Sequence, residues 1–90
     1  FDGVFAANDQ LALGCLGALQ RRGVSIPGQV RVVGFDDMAG ADALFPALTT
    51  VRQDFTRVGE LAVDALKLML AGEKATTAVV APSLIVREST

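Results

Sequence analysis

Three features of the chain predict an α/β fold built on a parallel sheet. The first is Val30-Arg31-Val32-Val33-Gly34-Phe35-Asp36-Asp37, a run rich in β-branched residues that stops at a glycine, an aromatic and two adjacent carboxylates. It reads as a buried strand delivering acid groups to its carboxyl end. The second is that two other apolar runs finish the same way: Gly3 to Ala7 runs into Asn8-Asp9, and Leu48 to Arg52 runs into Gln53-Asp54. The third is a helical segment separating the first two of these strands, which implies a right-handed βαβ crossover and hence parallel pairing. Parallel strands would gather the three polar ends into one cluster, at the edge where open α/β sheets bind ligands.

The elements follow in order. Asn8 or Asp9 can cap a helix from about Asp9 to Arg22, with the arginines in its last turn and Gly23 at the left-handed C′ position. Ala12, Cys15, Leu16 and Leu19 share its sheet-facing side, which leaves Leu13, Gly17 and Gln20 elsewhere. Val24 to Gly28 is a loop, with Pro27-Gly28 suited to the centre of a type II turn. After the strand over Val30 to Phe35, Met38 to Ala47 reads as one helical turn and then loop, so Leu44 and Phe45 are expected in an exposed connection. A third strand covers about Thr49 to Arg52. Asp54 or Thr56 then caps a second helix running to about Leu70, with Val58, Leu61, Ala62, Ala65, Leu66 and Met69 as its buried stripe and Gly72 ending it. Glu73 to Thr77 is a polar loop, Pro82 separates two extended segments, and Arg87 to Thr90 is expected to be a polar tail.

The composition narrows the function. Ninety residues make at most one domain, yet 51% are hydrophobic, 20% are charged and the mean hydropathy is +0.45. That balance, with a strand beginning almost at Phe1, suits a piece of a larger core. The net charge is -2 and the eight Lys and Arg residues are scattered apart from Arg21-Arg22, so no basic face for nucleic acid is expected. No apolar run approaches the roughly 20 residues that span a bilayer. A lone cysteine, Cys15, leans toward a reducing compartment and, on a core-facing side, toward the role of a small hydrophobe.

Chemistry is constrained by what is missing as much as by what is present. Without histidine the commonest near-neutral base is absent, and no serine sits in a nucleophile-elbow context, so no catalytic residues are assigned. Asp36-Asp37 could cap the next turn, with Asp36 simply solvated. It could also hold magnesium, but there is no glycine-rich phosphate loop to accompany that chemistry, and neither metal nor cofactor is expected. The remaining reading joins Asn8, Asp36 and Gln53 with the nearby ring of Phe55. Amides and carboxylates complement a ligand carrying many hydroxyls, and an aromatic face packs on the carbon side of a sugar.

Several stretches in order resemble the LacI/GalR family of bacterial transcription regulators: Ala6-Ala7-Asn8-Asp9, Ile26-Pro27, Val30 to Asp37, Pro46 to Gln53, Gly59, and the closing Leu84 to Thr90. The resemblance covers essentially the whole chain and matches the C-terminal third of such proteins. It implies a Rossmann-like, periplasmic-binding-protein-like fold, here a C-terminal fragment. Residues 1–51 would belong to the C-terminal subdomain, 54–78 to the N-terminal subdomain, and 79–90 to a returning tail. The family's sensor binds a small effector between its subdomains, and the likeness puts Asn8, Asp36 and Gln53 on effector-contacting positions and Phe55 on one that often lines the pocket. It further implies a cytoplasmic repressor that meets operator DNA only through an N-terminal domain absent from this chain. A periplasmic sugar-binding transport receptor shares the fold and is the alternative. A homodimer is expected as well, with Leu13, Gly17, Leu44 and Phe45 near a twofold contact.

Overall fold

A computed structural model describes residues 1–90. The elements are β1 (Gly3–Phe5), α1 (Asp9–Arg21), β2 (Arg31–Phe35), a 3-10 turn (Ala41–Ala43), β3 (Thr49–Arg52), α2 (Phe55–Leu70) and β4 (Ser83–Ile85). They divide into two units, one made of Phe1–Arg52 with Ser83–Thr90 and the other of Gln53–Pro82.

The first unit is a four-stranded sheet in the order β1-β2-β3-β4. The first three strands are parallel, with Val4 opposite Val32 and Gly34 opposite Thr50, and β4 closes the edge antiparallel to β3. A short antiparallel edge strand after Pro82 agrees with proline's exclusion from central strands. Helix α1 packs on β2, and its sheet-facing side is the expected one: Ala12 and Leu16 are buried, with Cys15 and Leu19 half-buried beside them. They meet Val32, Leu48, Ala6, Val30 and Ala41. Each buried leucine or valine there contributes about 1.5–3 kcal/mol of apolar transfer.

Both helices end as their sequences predict. In α1 the Gly23 amide donates to the Gln20 carbonyl and the Val24 amide to that of Leu19, with Gly23 at φ 72°. In α2 the Gly72 amide donates to Met69 and the Glu73 amide to Leu68, with Gly72 at φ 76°. Each pair is a Schellman closure.

Five expectations need correction. Strand β2 is buried on one face only: Val32 and Gly34 are buried, Val33 and Phe35 half-buried and Arg31 exposed, because α1 covers one side of the sheet. Pro27-Gly28 does not form a type II turn. Gly28 lacks the positive φ that turn requires, and the Gln29 amide donates to the Ser25 carbonyl while the Gln29 side chain accepts from the Ser25 amide. Leu44 is not in an exposed connection, since it packs half-buried against the core, and only Phe45 projects, 86% exposed.

The fourth correction concerns α2, in which no residue is buried; of the expected stripe, Val58, Ala62, Leu66 and Met69 are exposed and Leu61 and Ala65 are half-buried. The stripe exists, and within its own unit only Thr76, Ala78 and Val80 lie along it, which leaves most of it exposed. The fifth concerns the ending. Ser89 is fully buried, its hydroxyl donating to the Val32 carbonyl at 2.6 Å and accepting from the Thr49 amide at 2.8 Å, while its carbonyl accepts from the Val32 amide. The segment is therefore not a loose tail: Ser89 is buried in the sheet's polar interior, Arg87 and Thr90 are half-buried, and Glu88 is exposed.

Candidate functional site

At the carboxyl ends of β1 and β2 a cleft of about 230 Å³ is lined by Asn8, Asp9, Gln10, Asp36 and Met38. That is below the roughly 300–1,000 Å³ of a complete small-molecule site. The residues lining it are four polar side chains and one thioether.

Asn8, Asp9, Asp36 and Met38 are each held by hydrogen bonds. Asn8 caps α1 from an extended conformation, its Oδ1 accepting from the Leu11 amide at 2.8 Å. The cap uses one lone pair of the amide oxygen, and its NH2 remains a donor. Asp36 follows β2 at φ 109° and Asp37 stands at φ 53°, conformations that cost on the order of 1–3 kcal/mol each in a non-glycine residue and persist only where surroundings enforce them. The enforcement is visible in three consecutive amides. Asp36 donates to the Val51 carbonyl at 2.8 Å, Asp37 to Thr50 Oγ1 at 3.3 Å, and Met38 to Asp9 Oδ2 at 2.7 Å.

The two adjacent carboxylates have separate fates. Asp37 Oδ2 accepts from Arg52 Nε at 2.6 Å and Oδ1 from an Arg87 Nη at 2.8 Å. The hydrogen bond from Arg87 chiefly holds its carboxyl below the usual carboxylate range; burial opposes this, and Arg52 adds to the lowering. Asp37 thus serves structure, and Asp36 is the one that lines the cleft. No group of three or more His, Cys, Asp or Glu side chains comes together.

The structure brings Asn8 and Asp36 into this cleft, whereas Gln53 and Phe55 belong to the second unit, Gln53 half-buried and Phe55 59% exposed. Sequence reasoning put Asp9 in the polar cluster and at the helix start but did not assign it to the site. It is 1% exposed, and its Oδ1 accepts from the Thr50 hydroxyl at 2.6 Å. The available signal was Gly34: a glycine inside an apolar strand marks a close approach, and a Cβ there would run into Asp9 Oδ1 and meet Leu48 Cδ2 at 3.0 Å. Gln10 was missed too, with no sequence signal beyond its place next to the cap.

Among the residues expected at a dimer contact, Leu13 is 45% exposed and Gly17 is half-buried on the same helix. The Gln20 side-chain amide donates to the Phe45 carbonyl at 2.5 Å, which sets Phe45 beside that face of α1.

Residues 2–90 match the family model of the periplasmic binding protein-like domain. The lactose operon repressor of Rhizobium radiobacter is 42% identical over 82 residues, covering 91% of this chain and 73% of that protein. The regulator GntR of Pseudomonas aeruginosa is 41% identical over 73 residues, covering 81% of this chain but 21% of that protein. Among solved structures, a sugar-binding LacI-family regulator of Escherichia coli complexed with phosphate superposes with a TM-score of 0.89 at 37% identity, covering all of this chain and 33% of that one. The lac repressor dimer bound to operator and an anti-inducer gives 0.92 at 33% identity, over 99% of this chain and 32% of that one. The chain spans about a third of those structures and a fifth of the Pseudomonas regulator. It belongs to the periplasmic binding protein-like family and matches a segment of the effector-binding domain of LacI/GalR-type transcriptional regulators.

Proposed function

We propose that this chain supplies one wall of the effector site in a transcriptional regulator, and that the effector is a sugar or another polyol. The observation that carries this is the cleft at the strand ends, which Asn8 and Asp36 both line. An amide and a carboxylate lining one cleft suit a ligand with several hydroxyls, which both donate and accept. Gln53 and Phe55 are proposed as further effector contacts on family resemblance. The similar proteins named above are regulators, which ranks this reading above a transport receptor, and none is an enzyme.

The net charge of -2 and the scattered basic residues assign DNA contact to a segment other than these 90 residues, and a regulator acting on operators would work in the cytoplasm. No helix is long and apolar enough to cross a membrane. We propose a homodimer as well, with Leu13, Gly17 and Phe45 at its contact and Leu44 supporting the loop from beneath. Leu13→Asp combined with Phe45→Asp should give monomers in sedimentation while effector binding survives; a persistent dimer places the contact elsewhere.

The effector reading is tested by calorimetric titration of the intact protein with lactose, D-ribose, D-galactose and D-xylulose. At least one should bind, and Asp36→Ala should weaken it about tenfold or more, since a hydrogen bond to a charged group contributes roughly 1.5–3 kcal/mol. Equal affinity in the variant removes Asp36 from the site.

A further inference from the structure

We propose that Asp9 is the positioning residue of this cleft: it fixes where Asp36 is presented relative to Asn8, and so sets affinity without touching the effector. The inference rests on the effector reading above but is carried by separate observations. Asp9 is the first residue of α1, directly after the Asn8 cap; it borders the cleft but is 1% exposed, with both carboxylate oxygens engaged inside the protein. Its two oxygens reach two different places. Oδ2 takes the Met38 amide at 2.7 Å, and Oδ1 takes the Thr50 hydroxyl at 2.6 Å. Thr50 Oγ1 in turn accepts from the Asp37 amide at 3.3 Å. One carboxylate therefore secures, directly and through one hydroxyl, the two amides that follow Asp36 in the chain, and it does so from the turn of α1 that carries Asn8.

This arrangement is built rather than incidental. Gly34 lacks the Cβ that would collide with Asp9 Oδ1, and no buried side-chain polar atom is left without a partner. The left-handed backbone at Asp36 and Asp37 still carries a cost, although aspartate tolerates it better than most residues, and an external restraint offsets that cost. A carboxylate suits the position for a further reason. It accepts on both oxygens, whereas an asparagine at the same place offers one acceptor and turns a donor toward the other partner.

The test is made on the intact protein and has an arm that needs no effector. In Asp9→Asn, amide hydrogen exchange at Asp37 and Met38 should speed up at least tenfold while the helix amides from Ala12 to Leu19 keep their protection. Unchanged exchange at both amides overturns the proposal. The second arm titrates lactose, D-ribose, D-galactose and D-xylulose. Asp9→Asn should weaken the binding sugar about tenfold, and adding Asp36→Ala should cost little more, because the first change has already misplaced the second group. Full additivity assigns Asp9 a structural role only and overturns positioning. Thr50→Ser should retain affinity and Thr50→Val lose it, as a relay through the hydroxyl requires; equal affinity in the two removes Thr50 from the relay and with it the proposal. If no sugar binds the unaltered protein, the effector reading fails, and the exchange arm still decides whether Asp9 holds the turn.

Discussion

The two units hold one helix each, and the helices differ in what their apolar faces meet. In Phe1–Arg52 with Ser83–Thr90, α1 sets Ala12 and Leu16 into a core with Val32 and Leu48. In Gln53–Pro82, α2 has an apolar stripe at least as regular, yet Val58, Leu66 and Met69 stand 45%, 54% and 63% exposed. Both are capped alike, by Asn8 and Asp54 side chains accepting from the amide three residues on, and both close at a glycine. The difference teaches that helical periodicity and caps specify a helix and its apolar side, while the energy that holds it comes from a partner surface that can lie anywhere in a protein.

The largest effect expected from this contrast is in the core. Leu16→Ala should cost about 2–5 kcal/mol, a buried leucine's transfer energy plus its cavity. Leu66→Ala in the same 90-residue chain should change stability by no more than about 0.5 kcal/mol. Urea titration of both variants decides it; a comparable loss at Leu66 would show that the second unit has a core of its own and would break the comparison.

A smaller loss is expected at the closing segment. Ser89→Ala removes the partner of both the Val32 carbonyl and the Thr49 amide, leaving buried polar groups unsatisfied at about 1–3 kcal/mol. Val79→Ala, at a site 91% exposed in the second unit, should be silent in the same assay. A harmless Ser89 change would return residues 87–90 to the surface.

The smallest effect belongs to Asp37. Its carboxyl is held below the usual range in the folded chain, so the unfolded chain binds the proton first as pH falls. The stability this adds is present above the ordinary carboxylate pKa and is lost on descending through the lowered one. Asp37→Asn should flatten the acid limb of an unfolding curve below about pH 4, with Arg87→Ala doing more than Arg52→Ala. An unaltered acid limb would show that the arginine pairs are screened away.

How far the sequence could be read follows from how local each cause is. The Asn8 cap, the Gly23 and Gly72 closures and the bounds of β3 depend on neighbours within a few residues, and all are legible. Asp36 was visible because it ends an apolar strand, and Asn8 because it precedes a helix. Asp9 was not, because what distinguishes it is a hydroxyl on β3 and an amide on the loop after β2, 41 and 29 positions away. Arg87 and Ser89 were hidden for the same reason: their partners are Asp37, Leu48, Val32 and Thr49. The Pro27-Gly28 turn failed at short range, where a bond between Ser25 and Gln29 supplied an alternative closure.

The burial of Ser89 also orders events in time. Its bond to Val32 spans 57 positions, and everything in Gln53–Pro82 lies inside that loop. As the chain leaves the ribosome, β1, α1, β2 and β3 can assemble before residue 89 appears, but the seam between Val32 and Thr49 stays open until Ser89 has emerged. Long-range closures of this kind are slow to form, and a nascent chain halted near residue 80 would hold two completed helices and an unfinished sheet. That intermediate exposes strand edges and apolar surface together, the combination chaperones recognise. Ser89→Ala is therefore predicted to harm folding yield more than the loss of one hydroxyl would suggest.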